Sequence, residues 1–168
     1  DKPNERMTQE IFITLDSAHK KFVTLSNGLL LDSKNNPDGS RTDHWKQSLP
    51  SAPYLVMIAA GDFAVVKDTP ITIGGKNLEV NYYVEHEFEQ YAKGIFGNTP
   101  EMIDFFSTRF QTPYPWEKYS QIVVRDYVSG AMENTTAVIH GSFLNQTNRE
   151  RLDNSYEDVI SHELFRHW

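Results

Sequence analysis

His162 and Glu163 are adjacent residues of the two types that, on a helix, can hold a metal and activate water. Imidazole is a metal ligand, and a neighbouring carboxylate can act as general base toward a metal-bound water. The zinc signature of this kind is H-E-x-x-H, with its histidines four apart. Here the chain reads His162-Glu163-Leu164-Phe165-Arg166-His167-Trp168. Arg166 stands four after His162, and a histidine arrives one place later. At about 100° per residue, positions four apart lie roughly 40° from each other around a helix, and positions five apart roughly 140°. His162 and His167 therefore should not grip one ion from the same undistorted helix. Arg166 carries a fixed positive charge and has no lone pair for a metal. Alone, such a His-Glu pair also fits an ordinary helix surface or core contact.

A second stretch sharpens the reading. Gly130, Ala131, Met132, Glu133 and Asn134 spell GAMEN, beginning 32 residues before His162 (162 − 130). With these two motifs the chain resembles the zinc aminopeptidases of the aminopeptidase N and leukotriene hydrolase type, gluzincins in which GAMEN precedes H-E-x-x-H at about this separation. The resemblance continues through Thr112-Pro113-Tyr114-Pro115-Trp116, Tyr54-Leu55-Val56 and Gly61-Asp62-Phe63. It covers the chain as the middle portion of such an enzyme.

The resemblance implies roles. His162 matches the first zinc ligand, Arg166 occupies the second-ligand position, and the third ligand and a transition-state-stabilising tyrosine would lie beyond Trp168. Glu163 matches the general base. Glu133 matches the carboxylate that recognises the free amino terminus of a peptide substrate. A carboxylate closing a groove can pair with an ammonium group and reject a chain that continues past it, which turns a peptidase site into an exopeptidase. Gly130 and Ala131 are small enough for substrate backbone to lie against their strand. Met132 is an adaptable apolar contact, and Asn134 completes the motif. The implied function is a zinc-dependent aminopeptidase acting on peptides. The alternative is a catalytically disabled relative that keeps the fold and at most binds peptide ends; an epoxide-opening relative is a weaker third. With one of three expected ligands, the chain as it stands should hold zinc weakly and be inactive.

The elements that must position these residues are legible in outline. Residues 1–84 read as β: a strand over Ile11–Leu15, a hairpin from Phe22 to Leu31 through Asn27-Gly28, a loop tip at Asn35–Gly39, strands at Arg41–Gln47 and Tyr54–Ala60, and a hairpin from Ile71 to Val84 through Gly74-Gly75. From Glu85 the spacing changes. Helices are expected over His86–Phe96 and Pro100–Phe110, the second capped by Asn98 or Thr99 with Pro100 in its first turn. Strands are expected near Ile122-Val123-Val124 and over Ala137–His140. A last helix is expected from Asn154 to Trp168, with Asn154 or Ser155 as N-cap and Asp158 completing a near capping box. The expected class is α+β. Residues 1–84 would be the C-terminal part of an N-terminal β domain, and residues 85–168 the start of a thermolysin-like catalytic domain.

Composition sets the outer bounds. The net charge of −7 disfavours nucleic acid and anionic membranes as partners. There is no cysteine, hence no disulfide framework and no thiol catalysis. No apolar run reaches membrane-spanning length, and no signal peptide is visible; the compartment stays open between cytoplasm and a cell-envelope or secreted location. His19, His44, His86 and His140 are isolated and read as surface or core. Tyr82 and Tyr83 are neighbours on a strand, so one should be buried and the other exposed. Tyr114 and Trp116 read as packing around a proline turn. Asn134-Thr135-Thr136 and Asn145-Gln146-Thr147 are formal glycosylation sequons; the first falls inside the implied active site and is discounted.

Overall fold

The computed structural model describes residues 2–168 and has an α+β fold. Strands β1 (Met7–Leu15), β3 (Leu29–Asn35) and β4 (Arg41–Ser51) form an antiparallel sheet in the order β1-β4-β3. Strands β2 (Val23–Ser26) and β5 (Ile58–Gly61) pair separately. A larger sheet has the order β10-β11-β9-β8-β6. Its strands are β6 (Ala64–Lys67), β8 (Lys76–Val84), β9 (Lys118–Val124), β10 (Ala131–Met132) and β11 (Ala137–Gly141), with β7 (Ile71–Ile73) pairing the start of β8.

Strands β8, β9 and β11 run parallel. Parallel neighbours need a crossover connection. Between β8 and β9 it carries α1 (Ala92–Phe96) and α2 (Thr99–Arg109). The chain then closes with α3 (Glu157–Phe165). Alternation along the central strands builds two cores. Tyr82, Val123 and Val138 face α1, α2 and α3, where Phe96, Ile103, Ile160 and Leu164 are buried. Tyr83, Ile122 and Ala137 face the other way, against Leu25, Trp45 and Met57. Each fully buried aliphatic side chain in these layers contributes roughly 2 kcal/mol relative to exposure.

Several expectations are corrected. Tyr82 and Tyr83 are both buried, because β8 is covered on both faces. Asn27-Gly28 does not turn a hairpin: β2 pairs with β5 and β3 with β4. The Asn27 side chain instead bonds Leu55 O, Thr135 O and the Met57 amide. The expected strand from Tyr54 begins as a 3-10 turn, Pro53–Leu55, and extends only at Ile58. The expected helix over His86–Phe96 is a 3-10 segment, His86–Tyr91, before α1. The last helix is shorter at both ends. Asn154 Oδ1 accepts from the Tyr156 amide, and Tyr156 sits left-handed at φ 51°. No side chain caps the helix, so the Ser155–Asp158 box does not form. The large sheet also crosses residue 84, since β6 and β8 lie in it beside β9–β11.

Candidate active site

GAMEN occupies the edge of the large sheet. Gly130 precedes β10, whose Ala131 and Met132 pair antiparallel with His140 and Ile139. The Gly141 amide donates to Gly130 O at 2.9 Å. The other side of β10 is the end of the sheet. Glu133 follows directly, and its carboxylate meets the far end of α3: Arg166 Nη2 lies 2.5 Å from Glu133 Oε1. Glu133 is 12% exposed at its side chain and Arg166 46%. Asn134 turns away from this point. It is buried, and its Nδ2 reaches Leu55 O and Val56 O at 3.3 and 3.4 Å.

On α3, Glu163 points inward and is 7% exposed. Its Oε2 is buried and has no hydrogen-bond partner. Burial raises its pKa, Glu133 raises it further, and the charges of His162 and Arg166 pull the other way. Tyr127 sits within the field of both carboxylates. Burial, then Glu163 and Glu133, push its phenol up. Nothing in the sequence spacing singled out Tyr127.

His162 and His167 part as the helix geometry requires. His162 is exposed, whereas His167 is 5% exposed. The Thr136 amide donates to His167 Nε2 at 3.2 Å. That makes Nε2 the acceptor, so Nδ1 carries the proton and donates to Glu163 O at 3.0 Å. Burial depresses its pKa to about 4. Tyr114 stacks on the ring at 6.0 Å, and Trp116 Nε1 donates to His167 O. Both His167 nitrogens are committed to the fold.

Thr136 is the hub of this region. It is β-branched yet left-handed at φ 66°, a conformation that must be held by its surroundings. Gly28 N donates to its Oγ1 at 2.8 Å. Lys118 Nζ donates to its Oγ1, to its carbonyl and to Ser26 O. Lys118 is fully buried, and burial lowers its pKa to about 7. Sequence reasoning missed both residues, because each acts through partners far away in the chain. A cavity of about 720 Å³ opens beside Lys118, Trp45, Asp43 and Tyr83, apart from Glu133 and Glu163.

The residues present do not form a zinc site. Among the described residues, no group of three or more His, Cys, Asp or Glu side chains is placed to hold a metal. Arg166, four residues after His162, is bonded to Glu133, and both His167 nitrogens are taken. No helix among the described residues is long and apolar enough to cross a membrane.

The α+β fold, with a sheet-edge strand that ends just before Glu133 set against the helix carrying Glu163, is similar to that of a known aminopeptidase structure. The crystal structure of Legionella pneumophila aminopeptidase A in complex with aspartic acid matches it with a TM-score of 0.83 at 22% identity, over 99% of this chain and 20% of that one. The family model described as Peptidase family M1 domain matches residues 95–168. Aminopeptidase N of Haemophilus influenzae is 29% identical over 172 residues, 100% of this chain and 20% of that protein. Human glutamyl aminopeptidase is 28% identical over 176 residues, 100% of this chain and 17% of that protein. Over its whole length the chain is similar to these aminopeptidases, and it spans about one fifth of the length of the relatives it matches.

Proposed function

We propose that this stretch carries the amino-end recognition and general-base parts of a metallo-aminopeptidase site, and that Arg166 leaves it hydrolytically silent. The 2.5 Å contact between Arg166 and Glu133 carries the reading, because it brings the GAMEN strand end and the His-Glu helix to one point. Glu133 is the group that would pair with a substrate ammonium. The free side of β10 offers Ala131 and Met132 backbone for an extended peptide. Glu163 is the base: burial raises its pKa toward the range useful at neutral pH. Zinc would supply the Lewis acid in such an enzyme, with His162 the one matching ligand in this chain. With Arg166 present, the donor set does not support that chemistry. We also read residues 85–168 as the start of the catalytic domain, with the sheet of β6 and β8 joined to it.

A protein of the relatives' length that carries this stretch tests the proposal. With Arg166 it should not release amino acids from peptides. With Arg166→His and zinc it should act on peptides with a free amino end and spare acetylated ones. The added changes Glu133→Gln or Glu163→Gln should abolish release. Turnover with Arg166 in place, or none with Arg166→His, would overturn the reading.

A further inference from the structure

We propose that Arg166 is a built-in occupant of the amino-end site: its guanidinium binds Glu133 where a substrate ammonium would bind, so the site is one for small organic cations, closed by the chain's own. This inference rests on the reading of Glu133 as the amine-binding carboxylate.

Three observations carry it. First, the contact is a close one, with Nη2 2.5 Å from Oε1. The carboxylate is largely withdrawn from water, whereas the Arg166 side chain is nearly half exposed. Second, a second carboxylate lies within the same field. Glu163 is more than nine-tenths buried and its Oε2 has no partner. An unpartnered buried oxygen beside a paired carboxylate is an unused acceptor for a cation with several N–H groups. Third, Arg166 is the C-cap of α3, with its own amide donating to Leu164 O. Its backbone is therefore fixed one turn from Glu163.

The chemistry suits the role. A guanidinium stays protonated throughout the range in which proteins are folded and offers five N–H donors. The guanidinium itself does not lose its charge near neutral pH as a histidine would. Because it belongs to the chain, it competes at a high effective concentration, so any free amine must displace it. The arrangement suppresses amine binding directly, apart from its effect on metal. Arg166→Ala should open the site to cations bearing an ammonium or a guanidinium group.

Calorimetric titration of the chain with methylguanidinium and with L-leucine amide, each without metal, tests this. Arg166→Ala should bind both at least 10-fold more tightly than the unmodified chain, and adding Glu133→Gln should abolish the gain. Binding of L-leucine amide and of methylguanidinium by the unmodified chain as tightly as by Arg166→Ala would overturn the occlusion and leave the amine reading standing. Gain of methylguanidinium alone would uphold the occlusion and remove the amine reading. No gain for either cation, with Arg166→Ala folded by circular dichroism, would overturn the proposal. Should that variant not fold, nitrogen-15 NMR of the unmodified chain decides. The Arg166 guanidinium should show hindered rotation that Glu133→Gln releases; free rotation in the unmodified chain would refute the contact.

Discussion

The backbone amide of Thr136 donates to Nε2 of His167 at 3.2 Å, and the opposite ring nitrogen donates to the carbonyl of Glu163. One buried imidazole thus ties the segment after GAMEN to the turn of α3 that carries the candidate base. His167→Phe keeps an aromatic ring but leaves both backbone groups without their partner. It should cost about 2–4 kcal/mol, read by urea unfolding. An unchanged midpoint would show that the imidazole is dispensable.

Gly28 and Gly75 separate two causes of glycine dependence. Both sit at positive φ, 77° and 76°. A Cβ at Gly28 would lie 1.8 Å from Lys46 O, while one at Gly75 meets nothing within 4 Å. Gly75→Ala should therefore cost about 1 kcal/mol, the conformational share alone. Gly28→Ala should cost about 3 kcal/mol or more, because backbone would have to move and the Gly28 bond to Thr136 would be disturbed. Equal costs in thermal melts would contradict this account.

Acid should loosen the fold before most carboxylates titrate. His140 and His167 are fully buried, and burial lowers them to about 3 and about 4 from the usual 6.5. The unfolded chain therefore takes up protons first. Their contribution is complete above pH 6.5 and is lost as pH falls below it. Each histidine gives a slope of up to about 1.4 kcal/mol per pH unit. Glu163, whose raised pKa works in the opposite sense, offsets part of this. Denaturation at pH 7 and pH 5 should differ by about 2–4 kcal/mol, and His140→Gln should reduce that difference. A flat profile would contradict it.

What could be read in the sequence was what acts locally. The hairpin through Gly74-Gly75, the helix at Thr99–Arg109 and the strand at Ala137–Gly141 follow from turn residues, a proline in the first turn and β-branched runs. GAMEN and His162-Glu163 were visible because each is a contiguous motif. The Asn27-Gly28 hairpin failed because Asn27 is held by Leu55, Met57 and Thr135, the last 108 residues away. Local turn preference cannot report such partners. Likewise, the buried pairing of Lys118 with Thr136 has no local signature, and neither does the exposure of His162 against the burial of His167 beyond its helical angle. The contact of Arg166 with Glu133 joins residues 33 apart (166 − 133), which only the fold brings together.

The central claim is that these residues, with Arg166 among them, leave no zinc centre. Elemental analysis of the purified chain after incubation with excess zinc and gel filtration tests it most directly. The account predicts far less than one zinc per chain, since His162 alone cannot retain the ion. One firmly held zinc per chain, lost on His162→Ala, would contradict it and would mean that Arg166 yields its place to a ligand set the present arrangement does not contain.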